Sequence, residues 1–123
     1  MKKVNNKPLA KNTKNIATVD QAVQFIIKNL DDSWRKKILM AKEPDGLIKY
    51  HWTLGVEIKN MLNLEDKNSE LHKSCIKALQ KKAKFLSDED RAHPDCHSFF
   101  LITEVAKALK NKFKFKGGKI YEK

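Results

Sequence analysis

Apolar residues recur at three- and four-residue spacing along most of the chain, which is the signature of amphipathic helices. Val19, Val23, Ile26, Ile27 and Leu30 form the first run, and Thr18 with Gln21 three positions later makes a capping box at its start. The spacing predicts a helix over 19–30. Asp31 or Asp32 caps a second, short helix carrying Trp34, Ile38, Leu39 and Ala41. Lys42-Glu43-Pro44-Asp45-Gly46 is a break, because Pro44 lacks an amide donor and Gly46 permits a tight turn.

Leu47, His51, Leu54, Gly55, Ile58 and Leu62 share one arc of a third helix over 46–63, with Tyr50, Glu57 and Asn60 elsewhere. His51 thus lies on an apolar stripe beside Gly55, and a glycine inside a helix implies close approach of a neighbour. A polar connection over 63–68 leads to a fourth helix, begun by Asn68 or Ser69 and carrying Leu71, Cys75, Leu79 and Leu86. Residues 87–92 read as an acidic loop or a single turn. Pro94 suits the first position of a fifth helix over 94–111, whose inward arc is Phe99, Ile102, Val105, Ala106 and Leu109. Beyond it, lysines alternate with Phe113, Phe115, Ile120 and Tyr121 around Gly117-Gly118, which suits a small hairpin or a frayed basic tail equally.

The pattern predicts an all-α fold: one compact bundle of about five helices over 18–111. A flexible basic arm over 1–17 precedes it, and a basic tail or short hairpin over 112–123 follows. Composition agrees, since 123 residues make one domain and four Gly with three Pro are too few for a turn-rich β sandwich. Two Cys argue against a disulfide scaffold and suit a reducing cytosol. No apolar run is long enough to cross a membrane, and no apolar stretch follows the lysine-rich start as in a secretory signal.

The net charge of +11 is the compositional outlier, and its distribution matters more than its size. Residues 1–19 hold five lysines and no acid, and residues 107–123 hold seven lysines against Glu122. The span 20–106 is neutral, with fourteen basic and fourteen acidic side chains. Lys2 and Lys3 at one end and Lys112, Lys114, Lys116 and Lys119 at the other are therefore the candidate phosphate contacts. Arg35 and Arg91 are the only arginines, so reading of base edges is not expected.

Three constellations could carry chemistry. His72, Cys75, His93, Cys96 and His97 are the ligand types zinc takes, but their spacing is not that of a zinc finger, and no metal or other cofactor is expected. Asp95, Cys96 and His97 contain a carboxylate, a thiol and a base, yet neighbours on one helix point apart, so catalysis is not expected either. A helix N-terminus would lower the Cys96 thiol pKa. His51 and Asp95 both sit on inward faces; a hydrogen bond between them, with Lys59 or Asn60 at the rim, would make a polar patch. Trp34, Trp52, Phe100 and Tyr121 are the aromatic candidates for an exposed anchor.

The segment Tyr50-His51-Trp52-Thr53-Leu54-Gly55-Val56-Glu57-Ile58-Lys59-Asn60, followed by His93-Pro94-Asp95 and Ser98, resembles an uncharacterised family of small bacterial helical domains of unknown function. The resemblance spans about 18–110 and implies a helical fold with roles for His51, Gly55, Asn60, His93 and Asp95, but no reaction. Lys59 stands where the family usually has arginine, and Cys96 where it usually has a second acid.

These readings point to a cytoplasmic protein-interaction module with His51, Trp52, Lys59, Asn60, His93, Asp95 and Ser98 as its binding residues. Its partner would be a protein of the nuclease or ribonucleoprotein kind. A short neutral body with basic ends fits a small inhibitor or accessory protein, as bacteria, phages and mobile elements carry. The alternative is a sequence-nonspecific nucleic-acid binder using the lysine-rich ends.

Overall fold

The computed structural model describes residues 16–42 and 45–123. Most of the basic arm, with Lys2 and Lys3, and the break at Pro44 lie outside the described residues. The described chain forms α1 (Val19–Asn29), α2 (Asp32–Met40), α3 (Asp45–Ile48), α4 (Leu54–Met61), α5 (Glu70–Lys82), α6 (Asp88–Arg91), α7 (Pro94–Lys112), β1 (Phe113–Lys116) and β2 (Lys119–Glu122). The fold is a mostly helical bundle closed by a two-stranded antiparallel hairpin.

Capping follows the local sequence. Thr18 accepts from the Gln21 amide while the Gln21 side chain accepts from the Thr18 amide, closing the capping box of α1. Asp31, Ser69 and Ser87 cap α2, α5 and α6 with side-chain oxygens, and Pro94 opens α7. The ordered packing begins before Thr18, because Ile16 lies against the core.

The long, nineteen-residue α7 is the hub. It packs against all six other helices and β1. The sequence pattern gave it a narrow apolar arc, but Phe100 and Leu101 are buried too, while Phe99 is only half-buried. A helix with neighbours on several sides buries more than one stripe. Ile26, Ile38, Leu47, Ile58, Leu101, Ile102 and Leu109 form the fully enclosed centre. A smaller cluster of Leu79, Ala83 and Phe100 takes in Leu86, which lies in the turn after α5 rather than on the helix.

The predicted third helix is broken. Residues 49–53 form turns between α3 and α4, closed by bonds from Tyr50 N–H to Leu47 C=O, His51 N–H to Ile48 C=O and Gly55 N–H to Tyr50 C=O. Tyr50-His51-Trp52-Thr53 is a run of aromatic, imidazole and β-branched residues, all mediocre helix formers. Leu47, Leu54, Ile58 and Leu62 are still buried, so the periodicity identified the inward residues although the helix is discontinuous. Gly46 sits within α3 without a positive φ; a Cβ there would lie 3.2 Å from the Ala41 backbone. Close approach, not turn geometry, selects it.

The end of α4 is a Schellman motif hidden in what reads as a polar connection. Asn63 takes the left-handed conformation (φ 50°), its N–H bonds Asn60 C=O, and Leu64 N–H bonds Lys59 C=O at 3.0 Å. Leu64 is buried, which is the hydrophobic contact that completes the motif.

The hairpin resolves the two readings of the tail. Gly117 (φ 60°) and Gly118 (φ 79°) supply the two positive φ angles of a primed turn, whose twist matches the strands it joins.

Candidate functional site

The broken α3–α4 connection and the start of α7 meet in a polar and aromatic patch. His93 caps α7 through Nδ1, which accepts the Asp95 N–H at 3.0 Å. A nitrogen that accepts an amide proton carries none itself, so the 4.0 Å approach of His93 Nδ1 to the Asp95 carboxylate is not an ion pair. Asp95 takes its charge partner from α4 instead. Lys59 Nζ donates to Asp95 Oδ1 at 2.9 Å and lies 3.7 Å from Glu65, just past the Schellman turn. The hydrogen bond from Lys59 holds the Asp95 carboxyl below the usual carboxylate range, against a smaller opposing effect of burial. The same bond raises the Lys59 ammonium above its ordinary value.

The expected His51–Asp95 hydrogen bond is not formed; Asp95 is bonded to Lys59. Because His51 sits on a turn and not on a helix, its ring faces Trp52 edge-on (centroids 4.8 Å) and Phe99 of α7 (6.4 Å). His51 acts on Asp95 only through space, as a minor contributor to its lowered pKa. Gly55 lies where α4 meets α7: a Cβ there would stand 3.5 Å from Ser98 Oγ and 3.6 Å from His51 Nδ1. Ser98 is buried and donates to Asp95 C=O at 3.0 Å, which ties the first turn of α7. Trp52 is 76% exposed, and Asn60 is exposed beside Lys59. The structure thus brings His51, Trp52, Lys59, His93, Asp95 and Ser98 to one region, with Asn60 at its edge.

The other candidates separate. Phe100 is buried and Trp34 half-buried against Tyr50, leaving Trp52 and Tyr121 as the exposed members of the aromatic set. Phe85, at 87% exposed, escaped the pattern because it sits in the turn after α5, where no periodicity applies.

Behind the patch, the thiols and remaining imidazoles turn inward. Cys75 is buried and its thiol is pushed up to about 12, chiefly by burial. Cys96 is also raised, by burial first and then by the nearby Asp90 carboxylate, in contrast to the lowered value expected at a helix N-terminus. His97 is fully enclosed, and burial lowers its pKa. Its Nε2 lies 2.6 Å from the Arg91 carbonyl, an acceptor only, so Nε2 carries the proton. That leaves Nδ1 a buried acceptor without a partner among the described residues, edge-on to His72, whose own Nδ1 likewise has none among them. Asp95, Cys96 and His97 thus face three different surroundings. Among the described residues, no group of three or more His, Cys, Asp or Glu is placed to hold a metal ion.

The architecture defines a class: a small helical domain built around one central helix whose N-terminal turn carries a fixed polar patch. Residues 17–109 match the family model described as Domain of unknown function (DUF6794), and the chain belongs to that family. No curated protein and no solved structure matches the chain. Among the described residues, no helix is long and apolar enough to cross a membrane.

Proposed function

We propose that this domain is a protein-interaction module that docks through the Trp52 face, as an inhibitor or accessory protein of a nucleic-acid-processing partner. The observation that supports this most directly is the exposure of Trp52 beside an ordered polar patch. An indole left in water, next to groups already held in place, is the composition of an interface anchor with a polar rim. Ile48 and Val56, four residues to either side, are exposed as well. The neutral body leaves recognition to shape and apolar contact, while the basic ends suit a partner that handles phosphate chains.

The test is capture of partners by the full chain from nuclease-treated lysate, compared with Trp52→Ala. The wild type retains one protein in stoichiometric amount, and Trp52→Ala weakens that retention about tenfold or more at unchanged melting temperature. Equal retention by both proteins, or no retained protein, overturns the reading.

A further inference from the structure

Directly opposed residues of an antiparallel pair place their side chains on the same face. The register Lys114↔Tyr121 and Lys116↔Lys119 therefore gathers three lysines and a tyrosine on one face of the hairpin. Phe113, Phe115 and Ile120 occupy the other face and are half-buried. Phe113 lies against the core, and β1 packs on α2 and α7, so the body orients the hairpin with its basic face outward. Lys114, Lys116 and Lys119 are exposed, and Tyr121 is 45% exposed. None of the three lysines has a carboxylate partner among the described residues, in contrast to Lys59, Lys82 and Lys107. A groove of ≈ 370 Å³ beside the turn has Arg35, Lys36 and Lys119 among its lining residues together with the apolar Leu39, Phe113 and Ile120, and Asp32, its single acid, lies 3.9 Å from Arg35.

We propose that this face binds single-stranded nucleic acid, with phosphates on Lys114, Lys116 and Lys119 and a base stacked on Tyr121. The lysines are unneutralised point charges on a strand pair about 13 Å long, which suits a backbone of regularly spaced phosphates. Lysine lacks the planar fork that reads base edges, so the surface is sequence-tolerant. The ring selects the strand type. A duplex keeps its base faces stacked on one another, whereas a single strand offers a face to an exposed ring between cations. This site is separate from the Trp52 face and does not depend on it.

Fluorescence anisotropy of a labelled oligothymidylate against the full chain tests the assignment, with the matching duplex and heparin as competitors. Wild type binds the single strand, and affinity falls with salt. Lys114→Gln/Lys116→Gln/Lys119→Gln weakens binding at least tenfold and reduces the slope of log affinity against log salt by about 2. Tyr121→Ala weakens it about fivefold or more, and Tyr121→Phe restores it. These side chains are at the surface, so unchanged circular dichroism and melting confirm that folding is intact. Unchanged binding by the triple variant overturns the site, as does no binding by wild type, which would leave the lysines as guards against strand pairing. Preference for the duplex, or an indifferent Tyr121→Ala with heparin competing as well as the oligonucleotide, overturns the single-strand assignment. That last outcome would point to an acidic protein surface.

Discussion

The two ends of α7 treat charge in opposite ways. At the N-terminal end most charged and polar groups are answered from within the fold, the buried Nδ1 of His97 being an exception. Lys59 neutralises Asp95, His93 caps the helix, Ser98 closes its first turn, and His97 gives its proton to a backbone carbonyl. At the C-terminal end Lys114, Lys116 and Lys119 share one face of the hairpin with no carboxylate partner among the described residues, while Glu122 lies on the other face. One end binds most of its polar groups to one another and leaves the Trp52 indole exposed. The other leaves Lys114, Lys116 and Lys119 exposed to solvent.

Substitution at the middle of α7 tests whether the ends are one rigid unit. Leu101 is fully buried between them. Leu101→Ala is expected to cost about 2–5 kcal/mol in chemical denaturation, with the Trp and Tyr fluorescence changes remaining coincident. Separate transitions would show that the ends fold independently.

A smaller effect separates the ends by pH. The His97 pKa is lowered from 6.5 by burial, so the unfolded chain takes up this proton first. Stability is full above about pH 6.5 and declines as pH falls toward the folded value. Asp95 is lowered from 3.8, so a second decline follows as pH falls below about 4 and the Lys59 pairing is lost. Thermal melts between pH 8 and 3 should show the upper decline vanish in His97→Gln and the lower one shrink in Lys59→Met. A pH profile indifferent to both substitutions would contradict the charge accounting at the N-terminal end.

The smallest effect is local. His93→Ala removes the cap of α7 and should cost about 1 kcal/mol, and His93→Ser should restore most of it. Amide exchange should rise at the first turn of α7 and remain unchanged in the hairpin. Exchange rising equally at both ends would mean that the cap governs the whole helix.

Much of the fold is legible in the chain because helix formation is local. Caps at Thr18, Asp31 and Ser69, Pro94 at the head of α7, and Gly117-Gly118 at the turn each act within a few residues. The break at 49–53 was less visible, since Leu47 and Leu54 keep the same inward spacing whether or not the helix continues between them. The site was legible as a set of residues, not as a set of bonds. His51 and Asp95 carry the complementary chemistry a hydrogen bond needs, but the turn directs His51 toward Trp52 and Phe99 while Lys59 reaches Asp95 first.

Sequence alone determined the helical class, most of the inward residues, the neutral body and the basic ends, because periodicity, capping and charge are properties of neighbours along the chain. Tertiary structure alone decided which partner Asp95 takes, that burial raises the Cys96 thiol, and that Trp52 stays in water while Phe100 does not. It also decided that Lys114, Lys116, Lys119 and Tyr121 share a face, since register is set by strand pairing and by the core that holds Phe113. Each of these depends on what residues far apart in sequence bring to within a few ångströms, and local pattern carries no record of that distance.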